Sequence, residues 1–172
     1  MYNNKIVNEL CEETILPHLK DQGYPPVYDS CTWARSNAQK YSGAYSFLLT
    51  KTVGAGGAAA NIFLHPATAI DKLYGIIPGQ TYIFRTKSYV PAGTTPAHVC
   101  IFIGLYYDAS WHYSLDYASL NDTWEELKII QLVPSNTTGA TLGCQIHSNA
   151  DLNDKAYFDE IKVHDYNRLI GY

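Results

Sequence analysis

Positive charge is scarce in this 172-residue chain: 12 Lys and Arg face 16 Asp and Glu, leaving a net charge of -4. No basic run occurs, and phosphate contacts need clustered Lys and Arg, so a nucleic-acid partner is not expected. Long apolar runs are missing as well. Without about 18 consecutive apolar residues, nothing reads as a membrane-spanning helix, and no membrane partner is expected. The start, Met1-Tyr2-Asn3-Asn4-Lys5, is polar and is not followed by an apolar stretch with a small-residue cleavage site, so it does not read as a secretory signal. The four cysteines, Cys11, Cys31, Cys100 and Cys144, form no Cys-x-x-Cys pair, which argues against zinc. Cys100 and Cys144 sit inside apolar strand patterns and are expected as buried thiols, the usage of a chain made in a reducing cytoplasm. Among the six histidines no His-Glu-x-x-His spacing appears, and no Gly-x-Ser-x-Gly elbow exists. Gly54-Ala55-Gly56-Gly57 lacks the Gly-Lys-Ser/Thr that a phosphate-binding loop requires. Helical periodicity never persists for a dozen residues.

What remains is strand. The chain is 47% hydrophobic, 16% charged and carries 15 tyrosines, a residue that suits both pleated surfaces and binding faces. Strand patterns recur at Lys5 to Glu12, Val27 to Arg35, Tyr45 to Thr50, Asn61 to Leu64, Ile70 to Ile76, Thr81 to Val90, Val99 to Tyr107, Trp111 to Tyr117, Trp124 to Val133, Ala140 to His147 and Ala156 to His164. Turn residues such as Ser42-Gly43 and Ile77-Pro78-Gly79-Gln80 separate them. Val99 to Tyr107 is apolar on both faces, as in a central strand covered twice over. In Thr81 to Val90, Tyr82 and Phe84 fall on the core side and Arg85 and Lys87 on the wet side. With no shift of composition along the chain, the pattern implies one all-β domain over 1–172, an antiparallel sandwich with its core at about 5–165 and a polar tail at 166–172.

The last strand contains an anomaly. A period of two puts Tyr157, Ile161 and Val163 on one face and Phe158, Glu160, Lys162 and His164 on the other. Asp159 is then in phase with the apolar set. A carboxylate aimed at a core must be paired, hydrogen-bonded or bound to metal. Two accounts satisfy that demand: backbone amides near a strand end, or service as an oxygen ligand for a structural calcium ion.

Four local matches resemble the jelly-roll carbohydrate-binding modules of the galactose-binding-like class. Asn8-Glu9-Leu10-Cys11-Glu12 resembles the opening Asn-Gly-x-Phe-Glu element, with Glu9 and Cys11 as departures. Tyr41-Ser42-Gly43-Ala44-Tyr45-Ser46 resembles the Ser-Gly-x-Tyr-Ser turn into a strand, and Ile77 to Tyr82 the Pro-Gly-x-x-Tyr turn. Thr123-Trp124 and Tyr157-Phe158-Asp159-Glu160-Ile161 resemble the late Trp strand and the closing Asp strand. The resemblance implies a jelly-roll sandwich in which a structural calcium ties the first strand to the last. Its ligands would be Glu12 (or Glu13), Asp159 and a main-chain carbonyl near Ser42.

Ligand-binding residues vary freely in this class and do not carry over. Sugar sites use aromatic rings flanked by amides or carboxylates. The densest aromatic stretch holds Tyr106, Tyr107, Trp111, Tyr113 and Tyr117, interleaved with Asp108, His112 and Asp116. Tyr107, Trp111, Tyr113, Tyr117 and Asp108 are therefore the candidate glycan contacts. Trp124 is expected in the core; Trp33 is undecided. A hydrolytic pair of carboxylates such as Asp108 and Glu125 is the lesser alternative. The favoured expectation is a non-catalytic sandwich associated with a bacteriophage virion. Such a protein would adhere to glycans and contact other virion proteins or copies of itself. The alternative is a carbohydrate-binding module accessory to a glycoside-active enzyme.

Overall fold

Alternation of apolar and polar residues, broken by turns every few residues, produces nine antiparallel strands in two stacked sheets among the described residues. The computed structural model describes residues 31–56, 59–65 and 76–166. The expected strand over Lys5 to Glu12, and with it Cys11, Glu12 and Glu13, lies outside the described residues. The strands are β1 (Cys31–Ser36), β2 (Ser46–Lys51), β3 (Ala60–His65), β4 (Thr81–Tyr89), β5 (Val99–Tyr107), β6 (Ser110–Tyr117), β7 (Trp124–Leu132), β8 (Gly139–Ile146) and β9 (Lys155–Asp165). One sheet has the order β1-β2-β9-β4-β7 and the other β3-β8-β5-β6. The described chain is thus an antiparallel β-sandwich, as the strand pattern and the resemblance both implied.

The core forms where inward faces meet. Phe47 and Leu49 of β2, Tyr82 and Phe84 of β4, Leu127 and Ile129 of β7, and Phe158, Ile161 and Val163 of β9 oppose Val99, Ile101, Ile103 and Leu105 of β5 and Ala140, Leu142, Cys144 and Ile146 of β8. Cys100 and Cys144 are both fully buried, as expected of them. Trp33 packs against this core and meets Phe47 edge-on at 5.5 Å, so it is a packing residue.

The Pro78-Gly79 turn has a specific mechanism. Gly79 takes φ +84°, the third position of a type II turn, and Gln80 N–H donates to the Ile77 carbonyl at 3.2 Å. The hydroxyl of buried Tyr82 then accepts the Ile77 N–H at 3.0 Å and fixes the turn to the strand it opens.

One lysine belongs to the interior. Lys51 continues the inward face of Phe47 and Leu49 and is fully buried. Its ammonium donates to the carbonyls of His147, Ser148 and Ala150 at 3.0, 2.7 and 2.8 Å. All three donors are matched, so the buried charge is tolerated and the turn between β8 and β9 is fastened to β2.

The closing strand departs from the simple period-two reading. Arg85 faces Lys162 but Lys87 faces Asp159, so β9 holds one extra residue, a β-bulge with Glu160 at φ +48°. The bulge inverts the phase. Before it, Ala156 and Phe158 point inward; after it, Ile161 and Val163 do. Tyr157 and Asp159 therefore stand on the outer side of the sheet, contrary to their expected sharing of a face with Ile161, and Phe158 is a core residue.

Asp159 is nonetheless fully buried, because the 39–45 loop folds over it. Its Oδ2 accepts the Tyr41 and Ser42 N–H groups at 2.9 and 3.1 Å, and its Oδ1 accepts the Glu160 N–H at 2.7 Å. Backbone amides thus satisfy the carboxylate.

Candidate functional site

The outer face of the four-stranded sheet is built from alternate residues of neighbouring strands, and register places them in rows. Tyr106 of β5 pairs with Trp111 of β6 and Gly139 of β8; Gly104 pairs with Tyr113 and Thr141; Phe102 with Leu115 and Gly143; Cys100 with Tyr117 and Gln145. Asn61 of β3 continues the last row beyond Gln145. Four rows along a strand span about 20 Å.

The rings in these rows touch. Tyr106 and Trp111 meet edge-on at 5.5 Å, Trp111 and Tyr113 stack at 6.1 Å, and Tyr113 meets Phe102 at 6.3 Å. Trp111 is half-buried, while Tyr113 and Tyr117 are 52% and 42% exposed. Leu115 is exposed beside them. Such a connected aromatic surface on a sheet face is suited to flat, weakly polar ligands.

Gly104 explains how Tyr113 sits there. A Cβ at that position would lie 2.6 Å from Tyr113 Cε1 and 2.7 Å from Thr141 Cγ2. The missing side chain lets the Tyr113 ring settle directly over the β5 backbone and lean toward β8. Phe102 beneath it is buried, which is how β5 comes to be covered on both faces.

Polar groups finish the far end. Gln145 Nε2 donates to Asn61 Oδ1 at 2.6 Å, and its Oε1 accepts the Cys100 thiol at 3.4 Å. Burial, and secondarily the charge of Asp116, push the Cys100 thiol up to about 12, so it stays protonated and donates. Burial and the neighbouring Cys100 also raise the Tyr117 hydroxyl above its ordinary value, keeping it a neutral donor. The face therefore offers rings at one end and amide and hydroxyl hydrogen bonds at the other.

The structure brings together three of the five candidate glycan residues, Trp111, Tyr113 and Tyr117. Tyr107 is not with them: it points the opposite way, packs against the core and stacks on His112 at 4.0 Å. Asp108 lies in the β5–β6 turn, where it and Ala109 adopt φ +49° and +58° and its carboxylate accepts from Asn136 at 2.7 Å. Asp116 faces the neighbouring sheet and accepts the Lys128 N–H at 2.7 Å. Gly104, Phe102, Gln145 and Asn61 were not anticipated. A signal for Gly104 existed, since a lone glycine inside an apolar strand marks a close approach.

Trp124 is also displaced from expectation. It is half-buried on the outer side of the five-stranded sheet, against Tyr89 at 5.6 Å and Tyr41 at 5.9 Å, because it pairs with outward-facing Tyr89. The suggested carboxylate pair fails on distance. Asp108 precedes β6, whereas Glu125 accepts the N–H groups of Ser119 and Leu120 beyond its other end. An eight-residue strand separates them, roughly 25 Å, against the 5–10 Å of paired glycosidic acids.

For calcium, the described residues supply the Asp159 carboxylate and Ser42 Oγ, a buried atom with no hydrogen-bond partner. Among the described residues no group of three or more His, Cys, Asp or Glu side chains is placed to hold a metal ion. Both lone pairs of Asp159 Oδ2 are taken by amides, which leaves Oδ1 as its open oxygen. The donor set is compatible with a hard cation only if Glu12 or Glu13, outside the described residues, completes it.

No protein-family model matches the chain, and no curated protein matches it. Solved structures do match. The chain is similar to the C-terminal family 22 carbohydrate binding module of Clostridium thermocellum Xyn10B, at 21% identity, 81% of this chain, 84% of that chain and a TM-score of 0.55. It is also similar to a family 16 carbohydrate binding module, at 20% identity, 94% of this chain, 100% of that chain and a TM-score of 0.60. A third similar structure is the enzymatically active domain of bacteriophage CBA120 tailspike protein 4, at 16% identity and a TM-score of 0.53, covering 81% of this chain and 18% of that one. At these identities the likeness is one of fold: this chain has the jelly-roll sandwich of carbohydrate-binding modules.

Proposed function

We propose that the chain is a non-catalytic glycan-binding module and that the outer face of the four-stranded sheet is its sugar site. The observation that carries this reading is the connected ring surface of Tyr106, Trp111 and Tyr113, floored by buried Phe102 and continued by the Gln145 and Asn61 amides. Trp111 and Tyr113 supply ring faces to the C–H faces of successive sugars, while Gln145, Asn61 and the Tyr117 hydroxyl fix orientation by hydrogen bonds. The similarity to modules described as xylan-binding supports starting with a neutral β-linked polysaccharide. In affinity electrophoresis on xylan-containing gels, retardation that vanishes in Trp111→Ala and persists in Trp124→Ala is the expected result. An unretarded native chain, or retardation indifferent to Trp111, overturns the proposal for xylan.

The module reads equally well as an accessory of a glycoside-active enzyme and as part of a virion, the latter supported by the tailspike similarity. Pull-down of the chain from its native particle or enzyme separates the two settings. A structural calcium at Asp159 and Ser42 with Glu12 is a further proposal, supported by the burial of Asp159 and the unpartnered Ser42 Oγ. A melting temperature that EDTA lowers and calcium restores, with no response in Glu12→Gln, supports it; no response in the native chain rejects it.

A further inference from the structure

The opposite side of the molecule carries a second feature that the sugar face does not use. On the outer side of the five-stranded sheet, Arg85 of β4 stands in register with Lys128 of β7 on one flank and Lys162 of β9 on the other. Lys87 follows two residues along the same face. Four of the 12 basic residues of an acidic chain are thus gathered on three adjacent strands. Like charges directly opposite across strands destabilise a sheet. Lys87 and Lys162 are offset by Glu126 at 3.5 Å and Glu160 at 3.4 Å. Arg85 and Lys128 make no ion pair with any described residue. The Arg85–Lys128 pair therefore carries a repulsion that no described ion pair offsets.

Arg85 opens into a cleft of about 230 Å³ lined by Tyr41, Arg85, Thr86, Lys87, Glu126 and Glu160. The β9 bulge builds one wall, because the extra residue is Glu160. The 39–45 loop builds the other by carrying Tyr41, whose ring is 49% exposed, backed edge-on by Trp124 and approached by the Lys87 ammonium at 4.9 Å from its centroid. Guanidinium and ammonium groups call for an anion, and the exposed ring for a flat C–H face. The two glutamates accept hydroxyl donors, which a sugar supplies and an acidic peptide does not.

We propose that this cleft is a second binding site, for an acidic polysaccharide, with Arg85 inside it and Lys128 beside it on β7 holding the carboxylate or sulfate, and Tyr41 the ring. It does not rest on the sugar face described above, and its failure leaves that reading intact.

The test is isothermal titration of the full chain with polygalacturonate, with dextran sulfate and with poly-glutamate, at low and near-physiological salt, for the native protein and for Arg85→Gln, Lys128→Gln and Trp111→Ala. Circular dichroism checks that each variant is folded. The expected result is binding of polygalacturonate, of dextran sulfate or of both, the two arms telling a carboxylate from a sulfate. That binding weakens about tenfold in Arg85→Gln and severalfold in Lys128→Gln, weakens with salt, and is unchanged in Trp111→Ala. Lys128 is exposed, so its variant keeps the test open should Arg85→Gln not fold. Absence of binding to both polysaccharides overturns the proposal, as does binding that both basic variants retain, that Trp111→Ala abolishes, or that poly-glutamate matches.

Discussion

Replacing Lys51 by methionine removes a charge while keeping nearly the same length and burial. The ammonium now serves three carbonyls, at His147, Ser148 and Ala150. Ser148 keeps a second donor, the Gly56 N–H at 3.1 Å, and His147 keeps the Ala150 N–H at 3.1 Å, but no other donor among the described residues reaches the Ala150 carbonyl. Relieving the desolvation of the ammonium offsets part of the loss, because a thioether needs no partners. One orphaned acceptor and three lost charge-assisted bonds leave a net cost of about 2–3 kcal/mol. For a chain of this size that corresponds to a fall in melting temperature of roughly 4–12 °C. Urea denaturation followed by tryptophan fluorescence, paired with a thermal melt, measures both quantities. A loss below about 1 kcal/mol would show that water replaces the ammonium, and that the lysine does not fasten the β8–β9 turn to β2.

Other substitutions examine other parts of the fold. Gly104→Ala puts a methyl into the Tyr113 ring and should weaken glycan binding at least tenfold while costing about 1–3 kcal/mol; unchanged binding in a titration would show that Tyr113 is not a contact. Asp159→Ala strands three amides and should cost about 3 kcal/mol in urea denaturation, whereas an exposed carboxylate would cost less than about 0.5 kcal/mol. The Cys100 thiol is raised in the folded chain, so its contribution is complete below the ordinary thiol value of 9.0 and is lost as pH climbs toward 12. Cys100→Ala should therefore lose less stability than the native chain between pH 8 and pH 10, by about 1.4 kcal/mol, and parallel pH profiles would refute the assignment.

Strands were legible wherever burial on a face is continuous. Val99–Tyr107 matches its expected span residue for residue because eight of its nine residues are apolar, Gly104 being the exception. Trp111, Tyr113 and Tyr117, spaced by two and four residues, fall on one face of β6 as a period of two requires. What that spacing did not reveal was the face that Tyr107 takes. The turn at Asp108 and Ala109 sets the register between the two strands and sends Tyr106, not Tyr107, toward Trp111. The closing strand was misread for a related reason: an extra residue in a ladder leaves no mark in hydropathy, so the inversion at Glu160 appeared only with the partner strand in place. Asp159 was recognised as buried, yet its burial comes from a loop more than a hundred residues away, which local pattern does not encode. Gln145 and Asn61 were invisible as a pair, since only the β3–β8–β5 register makes them neighbours.

The link between Asp116 and the Lys128 amide has a bearing on how copies of this chain behave when crowded. Among the described strands β6 and β7 end their respective sheets, and together they form one flank of the sandwich. An incoming strand that tried to lengthen the five-stranded sheet there would find a main-chain donor already occupied by a carboxylate, and Ser114 joined to Gln131 just beyond it at 2.6 Å. The side chain of Lys128, exposed on the same edge strand, adds a charge against edge-to-edge pairing along that flank. Many copies arrayed side by side, on a surface or in a tandem chain, would stay discrete bodies, each with its ringed face still turned outward.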